Sequence, residues 1–439
     1  MSDVIKTVGI YTLGCKVNQY ESQAMAEELE RLGFKIALPS SVCDLYIINT
    51  CTVTAESDRK ARQFIRRAIS KNKNAFVIVT GCMAQTSPDT VATIGGVDAI
   101  IGNSDKLSVA KKALELCSRG IKNSTPEIFV SNIDDAPFES MNITKFDRTR
   151  AYVKIEDGCE SHCTYCIIPA ARGKIRSKPV EEVLQEVKEL VRGGCREIVL
   201  TGIETASYGK DLEGIDLASL LCKVDKIEGI GRVRLGSLDP SLIKEDFVKR
   251  IAGLSSLAPH FHLSLQSGSS KTLAAMKRKY NSAMAMNAIE FLRKYIPDVK
   301  FTTDIIVGFP GETEQDFEET VNFVKKADFL MTHIFPYSKR AGTPAATMQG
   351  QISKEEKSRR LHVLEDIEAR SRLAILEREI SSNPIKTVLF ESFRDGEICG
   401  HTADFIEVRV KSDIPRHAEF LDVRLLSTNG NVCVGTLIE

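Results

Sequence analysis

Three cysteines that lie close together form a dense set of metal ligands in this 439-residue chain. Cys159, Cys163 and Cys166 fall within eight residues, and thiolates are soft ligands that favour iron–sulfur clusters or zinc. One loop with this spacing can wrap a cluster while supplying only three protein ligands, which leaves one iron open. Zinc is the alternative, because a structural zinc site takes four protein ligands. His162, Cys195 or a distant residue would then be the fourth.

A second set of cysteines shares a structural context instead of a short spacing. Cys15, Cys51 and Cys82 each directly follow an apolar segment that has the pattern of a buried strand. The carboxyl ends of parallel strands meet at one edge of a sheet, where ligands bind, so we predict a second three-thiolate site there. The other six cysteines share no context, and we assign them to packing: Cys43, Cys117, Cys195, Cys222, Cys399 and Cys433.

The second cysteine set needs a parallel sheet to bring it together, and the N-terminal pattern predicts one. Apolar runs at 8–12, 45–49, 76–80 and 97–101 alternate with helical patterns at 20–32, 57–70, near Pro88 and at 106–117. This alternation is typical of a doubly wound parallel sheet. The Pro- and Asp-containing stretch 123–149 is predicted to be a linker.

The remaining sequence predicts two further domains. Six strand patterns, at 152–155, 198–201, 232–235, 260–265, 300–306 and 332–336, alternate with helices. A closed (β/α) barrel needs eight such units, so we predict a partial, open (β/α)6 barrel. A long helix at 353–380 leads to strand patterns at 387–390, 405–410, 420–426 and 432–437, which predict a small β-barrel. The fold class is therefore α/β, with domains at 1–135, 145–375 and 378–439.

Composition excludes several classes of protein. The chain is 43% hydrophobic and 27% charged, with 59 basic and 59 acidic side chains, which argues against disorder, collagen and a simple coiled coil. It has no run of about 18 apolar residues that would predict a membrane span. The first fifteen residues lack a secretory leader pattern, so we expect a cytoplasmic protein. Since the net charge is zero, binding to nucleic acid would depend on local patches.

The cysteine motifs resemble those of the radical S-adenosylmethionine (SAM) methylthiotransferases, and most closely the branch that acts on threonylcarbamoyladenosine in transfer RNA. The loop cysteines match the family's C-x3-C-x2-C, which continues into 167–169 and Arg172–Gly173, while residues 13–21 resemble the first motif of that branch. The resemblance covers nearly the whole chain, including a C-terminal barrel of the TRAM type. It implies two 4Fe–4S clusters, ligated by the two cysteine sets, and SAM as cofactor.

The resemblance also implies which residues contact SAM. The candidates are Tyr165, Gly202, Glu204, Ser264, Gln266 and Gly308. Alternatives stay open for three of them. Tyr165 has packing as an equal alternative to an adenine contact, Glu204 is an ordinary strand-end carboxylate if it does not bind the SAM amine, and Gly308 has a turn as its alternative role.

The predicted partners are a transfer-RNA anticodon stem-loop, a flavodoxin- or ferredoxin-like electron donor and a sulfur donor. Arg66 and Arg67, on the basic helix beyond Cys51, are the candidates for the RNA backbone, with a solvated helix face as the alternative. Lys16 and Arg172 are the candidates for the threonylcarbamoyl carboxylate. A second basic cluster comprises Arg172, Lys174, Arg176 and Lys178. The C-terminal residues 385–439 carry six basic and nine acidic side chains, which is not a simple electrostatic footprint for RNA.

The resulting hypothesis is an enzyme that inserts a methylthio group at C2 of threonylcarbamoyladenosine beside an anticodon. One rival has the same chemistry but acts on an aspartate of a ribosomal protein. A rival of another class is a zinc-stabilised RNA-binding protein without catalytic activity.

Overall fold

The N-terminal part of the protein is a parallel sheet with helices on both faces. In the computed structural model, which describes residues 6–146 and 149–438, its strands are β1 (Thr7–Thr12), β2 (Lys35–Ala37), β3 (Leu45–Thr50), β4 (Phe76–Gly81), β5 (Ala99–Ile101) and β6 (Glu127–Phe129). Its helices are α1 (Lys16–Arg31), α2 (Ala55–Lys71), α3 (Cys82–Thr86), α4 (Pro88–Ala92) and α5 (Ser108–Arg119). The strand order is β2-β1-β3-β4-β5-β6, with every ladder parallel. Every residue of β3 and β4 is buried, which confirms the predicted doubly wound sheet.

The prediction of a linker across 123–149 is wrong at its beginning. Strand β6 pairs in parallel with β5 and extends the sheet by one strand. It is only three residues long and two of them are exposed, so it lacks the continuous apolar run that identifies the inner strands. Farther along this segment, Met141 and Ile143 are buried in the main hydrophobic core.

Six parallel strands form the predicted partial barrel. They are β7 (Arg150–Lys154), β10 (Glu197–Thr201), β11 (Arg232–Leu235), β12 (His260–Gln266), β13 (Lys300–Val307) and β14 (Met331–Pro336), and β8 (Glu156–Asp157) and β9 (Arg176–Ser177) form a short antiparallel pair. The surrounding helices are α6 (Ile168–Arg172), α7 (Val180–Arg192), α8 (Leu217–Val224), α9 (Glu245–Ile251), α10 (Ser270–Ala275), α11 (Ser282–Tyr295) and α12 (Glu314–Ala327). Two three-stranded sheets, β7-β10-β11 and β12-β13-β14, meet through a parallel bridge between Leu238 and Leu263. In the described residues no ladder joins β7 to β14, so the barrel is open on that side.

A long helix connects this barrel to a closed, five-stranded one. Helix α13 (Lys354–Ser382) is followed by β15 (Ile385–Arg394), β16 (Glu397–Thr402), β17 (Glu407–Lys411), β18 (Phe420–Thr428) and β19 (Cys433–Leu437). The strands close in the order β15-β16-β17-β19-β18. Strand β16 was not predicted from the sequence, because Gly400 interrupts its alternation of apolar and polar residues. A side chain at Gly400 would come within 2.2 Å of the Leu389 carbonyl oxygen, so the neighbouring strand requires glycine there.

The small barrel covers the N-terminal end of the open one. The ring of Phe405 stacks on His260 with 4.4 Å between centroids. The guanidinium of Arg234 lies over the same Phe405 ring, 4.9 Å from its centroid. Arg234 also donates to the backbone carbonyl of Ala403. These contacts close one end of the barrel lumen.

No described helix is both long and apolar enough to cross a membrane.

Candidate active site: two three-cysteine sets and the barrel lumen

The N-terminal cysteines lie at neighbouring strand ends, as predicted from their context. Cys15 follows β1, Cys51 follows β3 and Cys82 begins α3 directly after β4, and these three strands are adjacent in the sheet. All three are free cysteines. A Cβ on Gly14 would lie 2.9 Å from the Cβ of Cys51, so the turn that carries Cys15 touches the one that carries Cys51.

Glycine makes this close approach possible at the third cysteine as well. Gly81, the residue before Cys82, has a φ of +95°, a conformation that residues with a side chain rarely adopt. A Cβ there would lie 2.4 Å from the carbonyl oxygen of Thr50. The backbone at Cys82 can therefore approach the Thr50–Cys51 peptide only because position 81 lacks a side chain.

The environment of Cys51 favours the protonated thiol. Burial, followed by the negative charges of Cys82 and Cys15, raises the pKa of Cys51 to about 11. Three thiolates at this edge therefore need a positive counter-charge, which a metal centre supplies.

The second cysteine set occupies the loop after β8, and each of its sulfurs accepts a hydrogen bond from a nitrogen. The amide N–H groups of Ser161 and Ile168 donate to the sulfurs of Cys159 and Cys166, each at 3.4 Å. The third sulfur, of Cys163, accepts from Nη1 of Arg278 at 3.2 Å. Such N–H···S hydrogen bonds stabilise sulfur ligands of clusters and tune them. Arg278 lies more than a hundred residues from the cysteines along the chain, so local sequence spacing does not indicate this contact.

In the described residues, the sulfurs of neither cysteine set lie as close together as a single zinc ion requires. One trio of residues in the described part of the chain has metal-ligand atoms within 4.8 Å of one another, and it consists of His262, Asp304 and His333. Tetrahedral zinc, with Zn–S bonds of about 2.3 Å, would bring sulfurs to about 3.8 Å. Neither cysteine set is that compact, whereas a cluster binds each cysteine through a different iron.

The proposed fourth zinc ligands are also poorly placed. His162 is exposed, in a left-handed backbone conformation. Cys195 is buried before β10, at the opposite end of the barrel strands from the loop, and its thiol donates to the carbonyl of Glu197 at 3.3 Å. The donor chemistry therefore fits two three-cysteine cluster sites.

Arg172 is not available for a substrate, which corrects the expectation from the sequence. Its side chain is completely buried and makes ion pairs with Glu21 and Asp157. It also donates from Nη2 to the side-chain oxygen of Asn18 at 2.7 Å. Asn18 in turn donates to the carbonyl of Thr50, next to Cys51, while Asp157 lies two residues before Cys159. Arg172 therefore connects the two cysteine sites.

The ion pairs of Arg172 belong to a larger buried network. Glu21 contacts Lys106 at 2.6 Å and Lys154 at 3.2 Å, and Lys154 contacts Asp157 at 3.3 Å. Burial alone would raise the pKa of Glu21, but the charges of Arg172, Lys106 and Lys154 outweigh burial and hold it well below its usual range. With three cations and two carboxylates, the network has an excess positive charge between two thiolate sites.

The second basic cluster predicted from the sequence is mostly buried and does not form an RNA-binding surface. Arg176 donates to the carbonyls of Ile133 and Arg172. Lys178 is fully buried and pairs with Glu186 at 2.6 Å. Of the four residues, only Lys174 is exposed.

The basic helix α2, by contrast, presents free charges beside Cys51. Arg66 and Arg67 are exposed, and no ion pair involves either of them in the described part of the chain. The helix is fixed at its first turn by Asp58, which accepts from Thr52 at 2.6 Å and pairs with Arg340 of the open barrel at 2.6 Å. This surface is therefore rigidly placed near the N-terminal cysteines.

Two predicted SAM contacts lie next to the cysteine loop. Glu204 accepts from the hydroxyl of Ser161 at 3.0 Å and from the thiol of Cys159 at 3.2 Å. A Cβ on Gly202 would lie 2.5 Å from Oε2 of Glu156. Glycine at 202 thus lets the Glu204 turn approach the loop.

The other candidates surround the C-terminal end of the lumen. The ring of Tyr165 packs edge-on against Phe309 at 6.5 Å, and its contact with SAM stays a prediction. Gly308 has a φ of +70° and a Cβ there would meet Lys357 at 2.3 Å, which identifies a tight turn. The side chains of Ser264 and Gln266 are partly exposed and make no hydrogen bonds within the described residues, which leaves both available to a ligand.

Lys16 lies where the first turn of α1 faces the open barrel. Burial, and then the positive charges of Arg234 and Arg150, lower its pKa, while Asp304 acts in the opposite direction. Within the described residues its ammonium has no hydrogen bond or ion pair. The next turns of α1 and strand β7 line a shared cavity of about 490 Å³.

Two family models match separate parts of the chain. Residues 153–324 match the Radical SAM superfamily, and residues 7–102 match a model described as uncharacterized protein family UPF0004.

Curated relatives match over most of the chain. The threonylcarbamoyladenosine tRNA methylthiotransferase MtaB of Bacillus subtilis is 39% identical over 426 residues, covering 96% of this chain and 94% of the relative. The MtaB protein of Thermotoga maritima is 41% identical over 421 residues, covering 93% and 95%. The tRNA-2-methylthio-N(6)-dimethylallyladenosine synthase of Carboxydothermus hydrogenoformans is 37% identical over 370 residues, covering 83% of each chain.

A solved structure shares the fold at low sequence identity. The radical S-adenosylmethionine methyltransferase TsrM from Kitasatospora setae has a TM-score of 0.57 at 16% identity, over 78% of this chain and 77% of that one. This likeness concerns the arrangement of the sheets and the barrel.

Proposed function

The chain belongs to the radical SAM methylthiotransferase family, whose cofactors are SAM and two 4Fe–4S clusters, and we propose that it methylthiolates C2 of threonylcarbamoyladenosine beside a transfer-RNA anticodon. The Bacillus and Thermotoga relatives carry that activity in their names. The observation on which the proposal depends is that two open three-cysteine sites are connected through Arg172.

We assign one cluster to each cysteine set. Cys159, Cys163 and Cys166 would hold the cluster that binds SAM, and Cys15, Cys51 and Cys82 would hold the auxiliary cluster. When bound, the clusters and SAM supply radical hydrogen abstraction and a methylated sulfur for transfer. Three ligands at each site leave one iron for SAM or sulfur, which a closed four-ligand site would not allow.

Other side chains would orient the reactants. Arg278 stabilises the thiolate of Cys163. Glu204, beside Cys159, is placed to accept a hydrogen bond from the SAM amine, and Ser264 and Gln266 offer further polar contacts. The buried network around Glu21 and Arg172 would keep the separation of the two clusters constant.

The proposal extends to partners and domains. Arg66 and Arg67 would contact the phosphates of the anticodon stem-loop. A flavodoxin- or ferredoxin-like protein would supply electrons, and a separate donor would supply sulfur. The domain division we propose is 1–135, 145–375 and 378–439.

A second candidate substrate is dimethylallyladenosine in transfer RNA. The Carboxydothermus relative, 37% identical, carries that activity in its name. The same two cluster sites would serve either substrate, so the two candidates differ only in the pocket for the N6 group.

Two measurements test the proposal. Mass analysis of digested transfer RNA from a strain that lacks the gene should show loss of the methylthio group from threonylcarbamoyladenosine, while ribosomal proteins stay unchanged. Loss from dimethylallyladenosine or from a ribosomal-protein aspartate would reassign the substrate. Anaerobically purified protein should contain about eight irons with sulfide, whereas zinc without sulfide would support the rival that is a non-catalytic RNA-binding protein.

A further inference from the structure

A polar cluster lies inside the open barrel, next to the candidate SAM contact Ser264. His262, Asp304 and His333 come from the adjacent strands β12, β13 and β14, and their ligand atoms lie within 4.8 Å of one another. His262 shares its face of β12 with Ser264 and Gln266, because alternate residues of that strand are partly exposed. By the strand register, Asp304 and His333 lie opposite each other and about level with Ser264. His262 lies two residues, or about 7 Å, deeper in the lumen.

Hydrogen bonds fix the role of His262. His260 has a lowered pKa because of burial, and its Nδ1 is buried without a partner, so a lone pair there costs less than an N–H. Its Nε2–H then donates to Thr302 at 3.0 Å, and the Thr302 hydroxyl donates to Nδ1 of His262 at 2.9 Å. His262 is left to donate from Nε2 to Asp304 at 3.2 Å.

Three groups of the cluster region remain available. His333 is exposed to the lumen and makes no hydrogen bond within the described residues. Asp304 uses one oxygen for His262, and no described group contacts its other oxygen. The ammonium of Lys16 likewise has no partner in the described chain.

The charges around the lumen leave one cation in excess. At its closed end, three arginines share two carboxylates, and the charge of Asp304 acts on one lysine nearer the opening. The charged groups are Arg150, Arg232, Arg234 and Lys16 against Glu197, Glu391 and Asp304. A ligand that brings one carboxylate would balance this recess.

We propose that Lys16, Asp304 and His333 bind the threonyl carboxylate and hydroxyl of the modified adenosine, an inference that rests on the proposed function. Lys16 would pair with the carboxylate, and Asp304 would accept a hydrogen bond from the hydroxyl or a ureido N–H. His333 would supply a further hydrogen bond. A dimethylallyl group offers no polar atom, so it would leave these groups desolvated and unpaired.

A metal ion is the other ligand that two histidines and an aspartate could bind. The hydrogen on Nε2 of His262 and the excess of positive charge both oppose a cation. The geometry therefore favours an anionic organic group.

The test measures binding without turnover. Anticodon stem-loops that carry threonylcarbamoyl, dimethylallyl or unmodified adenosine are titrated against the reconstituted holoenzyme in the absence of reductant. Wild type should bind the threonylcarbamoyl RNA at least tenfold more tightly than the unmodified RNA. His333→Phe and Lys16→Met should each reduce that preference severalfold, with iron content unchanged, while His362→Phe, at an exposed histidine of α13, should retain it.

The outcomes separate this inference from the proposed function. If wild type shows no preference for threonylcarbamoyl RNA, both the substrate assignment and the inference are wrong. If wild type has the preference and both variants keep it, only the recess is wrong. One equivalent of zinc or cobalt that wild type retains and His333→Phe loses would also overturn the inference.

Discussion

Replacing Glu21 by Gln should loosen the contact between the N-terminal sheet and the open barrel. Glu21 is completely buried and contacts Lys106, Lys154 and Arg172. Without its charge, Lys106 would lose its ion pair, and Lys154 and Arg172 would keep only the carboxylate of Asp157. Breaking a buried ion pair in this way costs about 3 to 5 kcal/mol, and 3 kcal/mol is about a 150-fold change in an equilibrium constant.

Hydrogen–deuterium exchange measures this effect locally. Peptides that cover α1 and α6 should exchange at least about a hundredfold faster in Glu21→Gln than in wild type. The matched control is Glu115→Gln, which removes an exposed partner of Arg119 and should change exchange by a few-fold at most. An increase below tenfold in Glu21→Gln would refute the claim that this network holds the two units together.

The same network makes the contact sensitive to acid. Because folding lowers the pKa of Glu21, the native state binds fewer protons there than the unfolded state. The stabilisation is complete above the unfolded pKa near 4.3 and is lost as pH falls towards the lower folded value. The difference in exchange between wild type and Glu21→Gln should therefore shrink below about pH 4.

The remaining predictions concern the clusters and the RNA. Gly81→Ala should lower iron content from about eight to about four, because its Cβ would clash with Thr50. Gly120→Ala, also at a positive φ but with open space around it, should keep full iron, and equal iron in both variants would contradict this. Cys163→Ala should abolish 5'-deoxyadenosine formation. Cys51→Ala should retain SAM cleavage and lose the methylthio product. Full product from Cys51→Ala would refute the assignment of the auxiliary cluster to this site. The double substitution Arg66→Ala with Arg67→Ala should weaken RNA binding and flatten its salt dependence. The control, Lys325→Ala with Lys326→Ala on α12, should change neither. An unchanged salt slope in the arginine variant would mean that α2 is an ordinary solvated helix face.

The sequence was most informative where burial leaves a continuous pattern. Strands β3 and β4 are buried throughout because helices cover both faces, and each begins with a continuous apolar run. Their ends, and with them Cys51 and Cys82, could therefore be located without coordinates. Strand β6 is short and half exposed, and β16 contains a glycine that a neighbouring strand requires. Both lack the pattern by which strands are found.

Charged residues were harder to interpret, because their partners lie far away along the chain. Arg172 and Lys178 have the sequence pattern of a basic surface, but they are buried against Glu21 and Glu186. Likewise, His262 and His333 are brought together with Asp304 only by the register of three strands. Neither relation is visible in local spacing or composition.

The central claim is that this two-cluster enzyme acts on threonylcarbamoyladenosine, and a comparison of products tests it most directly. The reduced holoenzyme is given matched anticodon stem-loops that carry threonylcarbamoyl, dimethylallyl or unmodified adenosine, and the methylthio product is measured by mass spectrometry. We expect the product predominantly from the threonylcarbamoyl RNA, with one 5'-deoxyadenosine formed for each methylthio group. Preferential reaction of the dimethylallyl or unmodified RNA would contradict the substrate assignment, and the absence of 5'-deoxyadenosine with every RNA would contradict the radical mechanism.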